Sequence, residues 1–137
     1  MRRILLRVSA GGLLSWAIIT TTLQPVVLSQ DLPKPTRLRF PRGSRTATAR
    51  SLVGGEATDY YVVRGRAGQT MIVRAHSRRK RTQVGVIFAE DSRYVAGRQK
   101  ESDLTRWEGR LTRTGDYLIQ VNVSPYSEWY TLSVTLR

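Results

Sequence analysis

Trp107-Glu108-Gly109-Arg110-Leu111, then Gly115-Asp116-Tyr117-Leu118-Ile119-Gln120-Val121, then Tyr130-Thr131-Leu132-Ser133-Val134 follow one another toward the end of the chain, and their reading decides the fold. Tyr117, Ile119, Val121 and Val123 share one parity, as do Tyr130, Leu132, Val134 and Leu136. Thr131, Ser133 and Thr135 take the other. Successive side chains of a strand project to opposite faces, so each run is a strand with one face in a core and one in water. A single sheet with a bare apolar face does not bury enough to offset the ordering of its backbone, so a second sheet must face it.

Working outward, the same alternation recurs upstream. Leu38 and Phe40 alternate with Arg37 and Arg39 before the turn Pro41-Arg42-Gly43. Thr46 to Val53 is rich in small and β-branched residues and stops at Gly54-Gly55. Asp59 to Arg64 forms a third strand, ended by the turn signal Arg66-Ala67-Gly68-Gln69. Thr70 to His76 is a fourth, with Met71, Val73 and Ala75 inward and Ile72, Arg74 and His76 outward. Val84 to Ala89 is a fifth whose register stays ambiguous, because both parities are apolar. A short strand around Tyr94-Val95-Ala96 follows, then a polar loop from Gly97 to Asp103. The pattern predicts an all-β protein: an antiparallel, jelly-roll-like β-sandwich of about eight or nine short strands.

The first residues pose a different problem. Arg2, Arg3 and Arg7 precede an apolar centre from Leu13 to Ile19, and Val27-Leu28-Ser29 offers residues suited to a signal peptidase. We expect a cleavable signal over residues 1–29, an extended leader over 30–36 containing Pro33 and Pro35, and the sandwich over 37–137. An uncleaved anchor needs about 20 predominantly apolar residues; here Thr20, Thr21, Thr22, Gln24 and Pro25 dilute the run. The expected location is periplasmic or extracellular.

The 137 residues carry a formal charge of +13, and only Lys34, Lys80 and Lys100 are lysines. Guanidinium groups hold carboxylates and phosphates through paired hydrogen bonds, so an arginine-rich surface suits anionic partners. Nucleic acid is a poor candidate for an exported protein. With no cysteine in the chain, disulfides, thiol catalysis and a lipidated-cysteine anchor are all excluded. His76, the sole histidine, is followed by Ser77, and neighbours on a strand point apart, so the two do not form a nucleophile and base. No cluster of zinc ligands is visible, and the pairs Glu90-Asp91 and Glu101-Asp103 lack the further oxygens of a calcium loop. We expect neither catalysis, nor a metal, nor a cofactor.

Asp59-Tyr60-Tyr61, Ala67-Gly68-Gln69-Thr70, Trp107 to Leu111, Gly115-Asp116-Tyr117 with Ile119 and Val121, and Tyr130-Thr131-Leu132 together resemble the bacterial pre-peptidase C-terminal type of jelly-roll domain, and within it the periplasmic inhibitors of g-type lysozyme. The resemblance spans about Leu38 to Leu136. On physical grounds Tyr61, Trp107 and Tyr117 are expected to fill the space between sheets, and Asp116 can bond backbone amides at a strand entrance. The resemblance implies a loop near the last two strands that carries arginines into the acidic cleft of the enzyme. This sequence departs there, because Ser124-Pro125-Tyr126-Ser127-Glu128 has no arginine.

Four adjacent cations, Arg78-Arg79-Lys80-Arg81, cannot be buried together and must lie on an exposed loop. We expect them to supply the positive charge from another edge. The candidate partner-binding residues are therefore Tyr60, Arg78, Arg79, Lys80, Arg81, Tyr126 and Trp129, presented to a protein partner such as a g-type lysozyme. The alternative is an accessory module for an anionic or glycan polymer of the cell envelope.

Overall fold

A computed structural model describes residues 34–137 apart from 56, 101, 102 and 124; the signal expected at 1–29 and the start of the leader, 30–33, lie outside the described residues. The described chain folds into β1 (Thr36–Arg37), β2 (Thr46–Val53), β3 (Thr58–Gly65), β4 (Thr70–Ser77), β5 (Thr82–Phe88), β6 (Arg93–Tyr94), β7 (Arg98–Lys100), β8 (Asp103–Arg110), β9 (Gly115–Val123) and β10 (Glu128–Leu136). They form two five-stranded sheets, in the orders β1-β3-β9-β5-β6 and β2-β10-β4-β8-β7. All pairings are antiparallel except that of β1 with β3.

The alternation read from the sequence is the alternation of burial. Tyr117, Ile119, Val121 and Val123 of β9 and Tyr130, Leu132 and Val134 of β10 point into one core with Met71, Val73 and Ala75 of β4. Tyr61 and Trp107 are buried with them. In β5 the ambiguous register resolves with Val84, Val86 and Phe88 inside, and Phe88 meets Tyr117 edge-on at 5.0 Å. The Trp107 indole occupies a slot floored by two glycines, since a Cβ on Gly97 would come within 2.3 Å of it and one on Gly109 within 2.6 Å.

Several expectations are corrected. The first strand is Thr36–Arg37 rather than 37–40, and it lies parallel to β3 at the sheet edge. A parallel neighbour is reachable because the intervening chain leaves for the other sheet as β2 before returning as β3. Leu38 is buried as expected, its N–H donating to Val62 O at 3.0 Å. The loop expected over Gly97 to Asp103 contains β7, an edge strand paired with β8 across a register shift. Gln99 secures it by donating from Nε2 to Val84 O (2.8 Å) and Leu104 O (3.0 Å), which joins the two sheets.

Ile72 has outward parity yet is buried, lying between Glu108 of β8 and Thr135 of β10. Asp116 takes Arg37 (2.9 Å) and Arg64 (3.9 Å) as ion-pair partners instead of bonding backbone amides. The strand expected around Tyr94 to Ala96 is confined to Arg93–Tyr94, although Val95 still donates to Val86 O.

Candidate functional site

One end of the sandwich carries three connections that cross between sheets: 54–57 from β2 to β3, 78–81 from β4 to β5, and 124–127 from β9 to β10. Pairing brings them together, since Ser77 faces Tyr130, Thr82 faces Val123 and Val53 faces Glu128. Gly54 and Ser127 pack backbone to backbone, with room for no Cβ on the glycine.

Glu128, expected in the connecting loop, instead opens β10 and points inward, only 9% exposed. Its Oε1 accepts the N–H of Arg79 at 2.5 Å, while its Oε2 is buried with no hydrogen-bond partner among the described residues. An internal carboxylate thus holds the basic loop from beneath, through backbone rather than through side-chain charge. Arg78, Arg79, Lys80 and Arg81 are exposed, as their clustering required.

The charge absent from the β9–β10 connection is delivered beside it. Arg81 Cζ lies 5.3 Å from the centre of the Tyr126 ring, and Arg50 of β2 lies 5.3 Å from that of Trp129. Both distances suit cation–π attraction. Tyr126 is 60% and Trp129 56% exposed, and Leu52, opposite Trp129, is 49% exposed. The basic loop therefore lies not at another edge but at the same end of the molecule as the connection that lacks an arginine.

Two of the described acidic groups near this end, Asp103 and Asp59, are engaged. Asp103 accepts from the Thr105 hydroxyl and amide, and its carboxyl is held below the usual range first by that hydroxyl, with smaller contributions from Lys80 and Arg106. Under the loops, Tyr130 Oη donates to Asp59 Oδ2 at 2.6 Å and stands 2.6 Å from Tyr61 Oη, a chain that links β3 of one sheet to β10 of the other. Burial first, then the bond to Asp59, pushes the Tyr130 phenol far above its ordinary value. The Tyr61 phenol is also raised, chiefly by burial.

Of the seven residues singled out from the sequence, the structure places Arg78, Arg79, Lys80, Arg81, Tyr126 and Trp129 at this end. Tyr60 stands apart, on the outer face of the other sheet opposite Gln120. His76 is exposed and Ser77 is buried against Thr82, so they face opposite ways. Among the described residues no group of three or more histidine or acidic side chains is disposed to hold a metal ion. Arg50 and Glu128 were missed. For Glu128 the signal existed, since the parity of Tyr130, Leu132 and Val134 carried back one period places it inside.

No family model matches the chain, and no curated protein matches it in sequence. The fold has clear counterparts among solved structures: the pre-peptidase C-terminal domain of a Bacillus anthracis collagenase superposes with a TM-score of 0.52 and 17% identity, over 74% of this chain and 95% of its own. The periplasmic g-type lysozyme inhibitors match with higher scores. PliG of Aeromonas hydrophila superposes with a TM-score of 0.65 and 23% identity, over 75% of this chain and 96% of its own. PliG of Salmonella Typhimurium gives 0.60 and 16%, over 76% and 98%. The resemblance read from the sequence holds as a likeness of fold.

Proposed function

We propose that the protein is an exported binding module that inhibits a g-type lysozyme, using the cationic and aromatic end of the sandwich against an acidic partner. The observation that carries this reading is Arg81 stacked beside Tyr126, which puts a guanidinium at the β9–β10 connection although that connection contains none. The fold shared with the PliG inhibitors supports the kind of partner, and their periplasmic setting supports export. Exposed aromatics flanked by arginines are the residue types that dominate binding energy at protein interfaces. Steering by the net positive charge would speed encounter with an acidic cleft.

The test is a titration of the protein against a g-type lysozyme acting on cell-wall substrate. Inhibition at micromolar protein that is lost when Arg78, Arg79, Lys80 and Arg81 are all changed to serine supports the reading; absence of inhibition refutes it. Retention on purified wall polymer or lipid that collapses with modest added salt, without inhibition, would assign the same end to an anionic envelope surface instead.

A further inference from the structure

At the β5–β6 edge of the sandwich, where the outer face of the β1-β3-β9-β5-β6 sheet meets Gln99 and Trp107 of the other sheet, lies a concavity different in character from the basic end. It is a groove of about 420 Å³ beside β6, and its lining includes Gln83, Tyr94, Gln99, Gln120 and Asn122. Among the described residues no charged side chain lines it, in a chain where Lys and Arg number 23. Tyr94 is 69% exposed and lies over Gly85, where a Cβ would come within 3.2 Å of the ring. The missing side chain lets the phenol lie down on β5. Its hydroxyl donates to Gln120 Oε1 at 3.0 Å, which fixes the ring and leaves both Gln120 N–H donors for other partners. Tyr60, separated from the basic end, is the cross-strand neighbour of Gln120 on the same face.

We propose that this groove binds a neutral oligosaccharide bearing hydroxyl and acetamido groups. A pyranose ring presents a flat face of C–H groups that stacks on an exposed aromatic ring, and Tyr94 offers such a ring already immobilised. Sugar hydroxyls need paired donors and acceptors, and an acetamide needs one of each; carboxamides supply both without charge. Among the described lining residues an anionic ligand would find no cation and a cationic ligand no carboxylate. The volume suits one or two sugar units. The inference is independent of the inhibitor reading, since the groove and the cationic end share no residue.

The experiment is a calorimetric titration of the protein with an N-acetylated chitotetraose, at low and at moderate salt, alongside its deacetylated, cationic counterpart. Saturable binding of the N-acetylated form is expected with the same affinity at both salts, because no ion pair is involved. Tyr94→Ala weakens it about tenfold, as loss of an aromatic platform does. Gln83→Lys, a change at an exposed position, weakens it too, so the test stands even if the first variant folds poorly. Arg81→Ser leaves it unchanged. No saturable binding, binding indifferent to both groove variants, or binding abolished by Arg81→Ser would overturn the proposal.

Discussion

Tyr130→Phe removes one oxygen from the middle of the chain that ties β3 to β10 beneath the basic end. The change preserves the shape of a ring that is 1% exposed, so its cost is almost entirely polar. Two bonds are lost at once: the donation to Asp59 Oδ2 at 2.6 Å and the contact with Tyr61 Oη at 2.6 Å. A hydrogen bond to a charged group is worth about 1.5 to 3 kcal/mol and a neutral one about 1, and stranding a buried partner costs more than the bond itself. The expected loss is about 2 to 4 kcal/mol. Tyr61→Phe removes only the end of the chain and should cost about 1 kcal/mol. Urea unfolding reads both through the shift in midpoint at constant slope.

The same pair predicts an alkaline signature. Both phenols have folded-state values above the ordinary value of about 10. Their stabilisation is fully present below that pH and declines above it, as the unfolded chain ionises where the folded one does not. The wild-type stability should fall above about pH 10, more steeply than that of Tyr130→Phe. If Tyr130→Phe costs no more than Tyr61→Phe, or leaves the alkaline slope intact, the reasoning fails.

Other expectations concern single sites. Asp116 is held below the usual carboxylate range first by its hydrogen bond to Arg37, so its contribution is present above about pH 4 and lost as pH falls through its folded value. Asp116→Asn should therefore flatten the acid limb of a stability-against-pH curve, by about 0.5 kcal/mol or less because the pair is solvent-screened. Gly97→Ala should destabilise by about 1 to 3 kcal/mol in thermal unfolding, since its Cβ meets the buried Trp107 indole. Trp129→Ala should change stability by less than about 1 kcal/mol, the scale of an exposed cation–π contact. Under the proposed inhibitor reading, the same variant should weaken inhibition of a g-type lysozyme by about 2 kcal/mol or more, measured as the shift in half-inhibitory concentration.

Strand positions were legible wherever period two was strict. The inward sets of β4, β9 and β10 follow directly from it, because each faces a core on one side only, while Thr46 to Val53 was legible from its small and β-branched residues. β7 was illegible for a physical reason: Arg98, Gln99 and Lys100 contain no apolar residue, and the strand is held by the Gln99 carboxamide and edge pairing rather than by burial. The parallel placement of β1 was equally hidden, being set by the route through β2.

At the site, four successive cations announced an exposed loop. Their approach to Tyr126 did not show, because it depends on two crossings between sheets that meet only in space. The groove left a fainter trace: Gln83, Gln120 and Asn122 are uncharged amides at outward positions, in a chain that otherwise favours arginine and threonine there.

The close approach of Gly54 to Ser127, with the Glu128 carboxylate gripping Arg79, means that the three connections at the basic end are not interchangeable parts. A longer β9–β10 segment spliced in from another scaffold would collide with the β2–β3 turn and release the β4–β5 one. Transplanting specificity onto this framework therefore requires all three segments to be exchanged as a set.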